Sequence, residues 1–268
     1  LFRSWDRWRD NLLTNLADIR LLPKISESFG QWRGSSVIVA GAGPSLYRNL
    51  EHIARAKSSG WKLVAADRAF EPLARAGIVP DITVSCDASE KVADFFPAEL
   101  LEKCGRFALC VISHPEVYAR LAGCDVSVYS CANPFSAFWR YADSQCPAGT
   151  ACLRPGFVVT FSAVDLAQWM GAKRVVTIGN DLCWNSESEV ERRYRDTALV
   201  RMPDGRVTIN AFARAAKSFA FFQGMFPDID FADASEGIVS GWRPEDPNAI
   251  WGNINLTILE GGDTHEME

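Results

Sequence analysis

The feature that most constrains the fold is a succession of short apolar runs that stay apolar instead of alternating with polar residues. They are SSVIVAG at 35–41, KLVAAD at 62–67, ITVSCD at 82–87, RFALCVIS at 106–113, DVSVYS at 125–130 and RVVTIGND at 174–181. A strand with one wet face alternates, whereas a strand buried on both faces does not. Between the runs lie amphipathic stretches such as PEVYARLAG and FSAVDLAQWMG. Strand, helix and strand in repeating order pair in parallel and cover both faces of the sheet with helices. The expected class is α/β, a Rossmann-like, mostly parallel sheet with helices on both faces, plus an N-terminal helical extension.

That extension spans 1–30, where Phe2, Trp5, Trp8, Leu12, Leu16 and Ile19 recur three or four residues apart as one stripe. The stripe packs on the chain's own core or forms a docking face, for a second copy in a homo-oligomer or for an upstream domain. The main nucleotide-binding domain covers 31–241. Within it, 183–205 reads as a loop, AFARAAKSFAFFQGMF as a helix and DIDFADA as a late strand. Residues 242–268 form a C-terminal segment expected to be partly disordered, ending in GGDTHEME.

With 268 residues and 48% apolar side chains the chain can bury a core of this size, and a net charge of −5 offers no general attraction to nucleic acid or to an anionic bilayer. Eight cysteines include no C-x-x-C pair and no histidine at zinc spacing, so they are expected to be mostly buried thiols. No apolar run approaches the roughly 20 residues of a membrane span, and the amino end has no signal-peptide zones. The expected location is cytoplasmic. The chain opens on Leu1 rather than Met, as a processed or excised piece would.

Ligands of parallel sheets bind where strands deliver their carboxyl ends. The first run delivers Gly41-Ala42-Gly43-Pro44-Ser45-Leu46. Glycines allow close approach, proline suits the first helical position, and the first-turn amides of 43–46 then face an anion; the alternative is a plain tight turn. A dinucleotide fingerprint would need glycine where Leu46 stands, and no G-x-x-x-x-G-K-[ST] occurs. Asp67 ends the second run, placed to accept from a ribose. Asp81 and Asp87 flank the third, roughly 20 Å apart along an extended chain, which makes Asp81 a turn residue and Asp87 the site candidate. Asn180 and Asp181 end the sixth run. Gly156, Thr160 and Ser162 precede and open the helix before it, as a second ligand-facing turn or as a simple cap. The three histidines are scattered, and none is assigned a catalytic role.

Four ordered motifs, GAGPSL, AADRAFEPLARAGIVPDITVSCD, FVVTFSAVDLAQWMGAKRVVTIGNDL and ADASEGIVSG, resemble the domain shared by archaeal 6-hydroxymethylpterin diphosphokinases and bacterial motility-associated factors. The turn and strand ends are also similar, more distantly, to those of bacterial sialyltransferases that use a CMP-activated sugar. The resemblance implies a nucleotide or nucleotide-sugar partner, with Gly41, Gly43, Pro44 and Ser45 on the phosphate side and Gly156, Thr160 and Asp181 opposite. The diphosphokinases transfer pyrophosphate from ATP with magnesium and tend to show a D-x-D pair after the third strand. Here the sequence is Cys86-Asp87-Ala88-Ser89, which leaves Asp87 as the metal ligand. The sialyltransferases use a late histidine as base; 183–264 has none, which leaves Asp181 or Glu236.

The favoured reading is glycosyl transfer from a CMP-activated nonulosonic sugar, which requires no metal cofactor, with Asp87, Asp181 and Glu236 as catalytic candidates. Mg2+-dependent pyrophosphoryl transfer is the alternative, and a non-catalytic nucleotide sensor or scaffold the second. The acceptor would be a flagellin-like protein, a glycan or a pterin.

Overall fold

The computed structural model describes residues 2–103, 105–131, 137–154, 156–193, 197–239 and 242–244. The expectation of partial disorder past 244 lies outside the described residues. The strands are β1 (Ser36–Ala40), β2 (Lys62–Ala66), β3 (Ile82–Ser85), β4 (Arg106–Cys110), β5 (Val126–Cys131), β6 (Cys152–Leu153), β7 (Arg174–Ile178), β8 (Leu199–Arg201), β9 (Val207–Ile209), β10 (Asp230–Asp233) and β11 (Arg243–Pro244). The helices are α1 (Phe2–Leu21), α2 (Pro44–Arg48), α3 (Leu50–Ser58), α4 (Asp67–Arg75), α5 (Pro115–Arg120), α6 (Ala137–Gln145), α7 (Val159–Trp169), α8 (Glu187–Arg193), α9 (Asn210–Ser218) and α10 (Ala220–Met225).

Nine strands form one parallel sheet in the order β11-β10-β7-β1-β2-β3-β4-β5-β6. The chain builds outward from β1 to β6, then returns to place β7 on the other side of β1. The β1/β7 boundary is therefore the topological switch point, where loops leaving the two strands diverge and open a crevice. Successive residues of β1 explain its unbroken apolar character. Val37 and Val39 join the larger core cluster on one face, and Ile38 and Ala40 the smaller one on the other. Helix α7 lies within the larger cluster and is buried from Thr160 through Ala167, which is why FSAVDLA is nearly all apolar.

The N-terminal stripe packs on the same chain. Leu12 and Ile19 are fully buried, and Trp5 and Trp8 meet Phe138 with ring centroids 5.8 and 5.7 Å apart. Two buried amides fix the docking: Asn11 donates to the carbonyls of Ala88 and Ile112, and Asn15 to those of Val111 and Ser113. These carbonyls lie past the ends of β3 and β4.

Two expectations need correction. Residues 183–205 are not a plain loop: they hold α8 and one strand of the antiparallel β8–β9 ribbon, and Trp184 bridges to Val207. These elements are too short for hydrophobic periodicity to mark them. The run 211–226 is split, with Phe219 as the hinge between α9 and α10.

Candidate functional site

A cavity of about 410 Å³ opens over the carboxyl ends of β1, β2, β3 and β7. The turn Gly41 to Pro44 forms one side. Asp67 and Asp87 come from the ends of β2 and β3, Thr160 from the first turn of α7, and Asn180 and Asp181 from the end of β7. Arg68 and Lys91 bring positive charge, while Phe157, Trp184 and Phe212 form an aromatic wall. Trp184 and Phe212 stack at 5.4 Å, and Arg214 lies over the Phe157 ring. A second opening, of about 490 Å³, lies where β3 and β4 begin. Its charged residues are paired, Asp81 with Lys57 and Arg106 with Asp125, and the carboxyl ends of the strands lie at the opposite end of the sheet.

The glycine turn is built differently from the expected anion cradle. Gly43 N–H donates to the Gly179 carbonyl at 2.7 Å, Leu46 N–H to the Gly43 carbonyl at 3.0 Å, and Ser45 donates from both N and Oγ to Asp181 Oδ2, at 3.1 and 2.9 Å. Pro44 has no N–H to give. The anion at the start of α2 is thus the protein's own carboxylate, and the amides of 43, 45 and 46 are not free to grip a phosphate. Asp181 also accepts from the Glu236 amide at 3.2 Å, so both its oxygens are occupied. So engaged, Asp181 ties the first turn of α2 and the segment at Glu236 to the end of β7.

The glycines allow this knot of backbone. A Cβ on Gly43 would fall 2.0 Å from Asp181 Oδ2, one on Gly41 2.5 Å from the Gly179 carbonyl oxygen, and one on Gly237 2.1 Å from the Asp181 carbonyl oxygen. Just beyond, Leu182 adopts a left-handed φ of 56°, a strained conformation for a γ-branched residue at the edge of the cavity.

Asn180 offers a more suggestive group. Its Oδ1 accepts from Thr160 Oγ1 at 2.8 Å, while its buried Nδ2 has no hydrogen-bond partner among the described residues. Orphaned buried donors are rare because each forfeits its solvation, and one in a cavity wall matches a ligand acceptor.

Asp67 is the unusual acid. Its carboxyl is pushed up to about 7, chiefly by burial; the hydrogen bond from the Arg68 amide works against the shift, the nearby charge of Asp87 adds to it, and the bond from Ser85 Oγ again lowers it. Asp87 itself is exposed and accepts from the Ser89 amide at 2.8 Å. Asp81 lies at the far end of β3, bound to Lys57 and the Leu63 amide, as expected of a turn residue.

Five sequence candidates do not line this cavity. Ser45 lies beneath it, bound to Asp181; Leu46 is part of the smaller core cluster; and Ser162 Oγ donates to the Arg154 carbonyl. Gly156 is exposed and packs against Phe161, while Glu236 points outward to Arg48 in a two-bond pair of 2.9 and 2.6 Å. Sequence reasoning missed Arg68, Lys91, Phe157, Trp184 and Phe212. Only Arg68, one residue past a strand-end acid, carried a positional signal.

Fold and cavity together define a Rossmann-like α/β protein with an open crevice at its switch point. The chain belongs to the family described as 6-hydroxymethylpterin diphosphokinase MptE-like, whose profile matches residues 10–187. Its fold is similar to that of the Maf glycosyltransferase from Magnetospirillum magneticum AMB-1, at 16% identity and a TM-score of 0.64, over 91% of this chain and 41% of that one. The chain thus spans about two fifths of the length of that protein. A second solved structure, the Campylobacter jejuni sialyltransferase CstII in complex with the substrate analogue cytidine-5'-monophosphate, matches at 12% identity and a TM-score of 0.45, over 81% of this chain and 86% of that one. Among curated protein sequences none matches.

Proposed function

We propose that the cavity binds a nucleotide-activated sugar, with a CMP-linked nonulosonic sugar as donor, and that the protein transfers the glycosyl group to an acceptor hydroxyl. The observation that carries the reading is the Asn180 amide, bonded to Thr160 through Oδ1 with Nδ2 unmatched, in a cavity that also contains a carboxyl pushed up to about 7. Asn180 Nδ2 would donate to a donor acceptor atom, and the aromatic wall would stack on its base. Arg68 and Lys91 supply the charge for the phosphate that the turn amides do not. Asp67 would take the acceptor proton as the acceptor oxygen bonds to the anomeric carbon, while the bond from that carbon to phosphate oxygen breaks and the nucleotide leaves with the electron pair. A carboxyl near 7 suits that proton transfer at physiological pH.

Family membership keeps pyrophosphoryl transfer as a second reading, and the pair Asp67 and Asp87 favours it. Magnesium is commonly held by one or two carboxylates plus substrate phosphates, and two acidic side chains on one cavity wall fit that donor set. Bound there, the ion would neutralise charge developing on the transferred phosphates. The protein's own residues would still orient the nucleotide through Asn180 and receive the acceptor proton.

A release assay separates the readings. Free CMP formed from a CMP-activated sugar without added metal supports glycosyl transfer, and AMP formed from ATP only with magnesium and a pterin alcohol supports the second. Nucleotide binding with neither product would point to a sensor and overturn both.

A further inference from the structure

Cys86, Cys110 and Cys131 are separated by 24 and 21 residues, a spacing with no metal motif in it. Each step runs through one connection to the next strand of the sheet, so the sheet returns them to the same place. Ser85 pairs with Leu109, which sets Cys86 level with Cys110, and Cys110 pairs with Tyr129, which sets Cys131 two residues further along β5. Their sulfurs converge: Cys86 and Cys131 are 3.5 Å apart, Cys110 and Cys131 3.6 Å, and all three lie within 4.8 Å of one another.

We infer that these three cysteines bind one thiophilic d10 cation, copper(I) or zinc(II), which ties together the carboxyl ends of β3, β4 and β5 beside the cavity. Three thiolates at about 2.3 Å from a shared ion stand about 4 Å from one another, close to the spacing observed. A disulfide fits less well. Cys86 and Cys131 leave strands separated by β4, so their backbones stand on the order of 9 Å apart, past the roughly 7 Å that a disulfide spans. Cys110 and Cys131 are buried and Cys86 is half-buried, which gives an ion a way in. The site borders chemistry already described: Cys86 lies between Ser85, which bonds Asp67, and Asp87 of the cavity.

The test uses the full chain, reduced and stripped with a chelator, then titrated separately with cadmium(II) as the zinc-class probe and with copper(I). One equivalent of thiolate-to-metal ultraviolet absorption is expected from the parent and from Cys152→Ser, which alters an exposed thiol elsewhere. It should be lost in Cys86→Ser and Cys131→Ser. Should either variant fail to fold, alkylation of the parent read by mass spectrometry gives the same answer, with metal protecting Cys86. Absence of the absorption, unchanged absorption in Cys86→Ser, its loss in Cys152→Ser, or equal alkylation of Cys86 with and without metal would each overturn the inference.

Discussion

Replacing Asp67 with asparagine should stabilise the protein at neutral and alkaline pH, and do so by an amount that grows with pH. The folded carboxyl sits at about 7 against 3.8 when unperturbed, so the folded state binds its proton more tightly than the unfolded chain does. A group of this kind contributes its full stability below 3.8 and loses it progressively as pH rises through 7. The cost reaches about 4 kcal/mol above pH 7, from about 1.4 kcal/mol for each pH unit between the two values. Asparagine has the same shape, accepts from the Arg68 amide as Asp67 does, and can donate to Ser85. Denaturant unfolding of parent and Asp67→Asn at a series of pH values between about 5 and 8 should show a difference of about 1.5 kcal/mol at the acid end and about 4 kcal/mol at the alkaline end. Transferase activity should disappear in the same variant, the mark of a site that trades stability for reactivity. A difference independent of pH, or a variant less stable than the parent at pH 8, would refute the reasoning.

Other substitutions probe the frame of the site. Gly43→Ala should cost about 2–4 kcal/mol in denaturant unfolding, because its Cβ would meet Asp181 Oδ2 at 2.0 Å and displace a carboxylate bound by Ser45. Arg154→Ala strands the fully buried Asp165 and should cost about 3–5 kcal/mol, with part of the loss recovered by Asp165→Asn in the double variant. Asn15→Ala leaves the Val111 and Ser113 carbonyls without their donor and should lower stability by about 2–3 kcal/mol in the same assay. Glu236→Gln should change stability by under about 1 kcal/mol and leave turnover intact, since the Arg48 pair is exposed and lies outside the cavity.

The sheet was legible because burial on both faces leaves a direct mark: β1, β2, β4 and β7 hold too few polar residues for any half-exposed strand. Strand ends were legible for the same reason, and so Gly41, Gly43, Asp67, Asp87, Thr160, Asn180 and Asp181 meet in one cavity. What lay beyond reach was the direction of each side chain after the strand stops. Ser45 and Leu46 sit in the first turn of α2 and point inward, which no period reveals in a helix as short as α2. Asp181 stands at a strand end, where an acid serves as a base in many sites; that it also accepts from the Ser45 amide and hydroxyl and the Glu236 amide depends on long-range contacts that no local pattern marks. The cysteine cluster was hidden because its contacts depend on register between three strands. Trp184 and Phe212 reach the cavity from elements that the sequence pattern showed as loop and as helix, with nothing to mark their shared destination.

The central claim, that the cavity reads a nucleotide through the orphaned Asn180 amide, is tested most directly by calorimetric titration of CMP into the parent and into Asn180→Asp. The exchange keeps the shape of the side chain and replaces the unmatched donor with an acceptor. The account predicts a single site in the parent and a loss of at least about tenfold in affinity in the variant, the equivalent of one hydrogen bond of about 1.4 kcal/mol. Equal affinity in the two proteins, or no binding of CMP or ATP to the parent with or without magnesium, would contradict it.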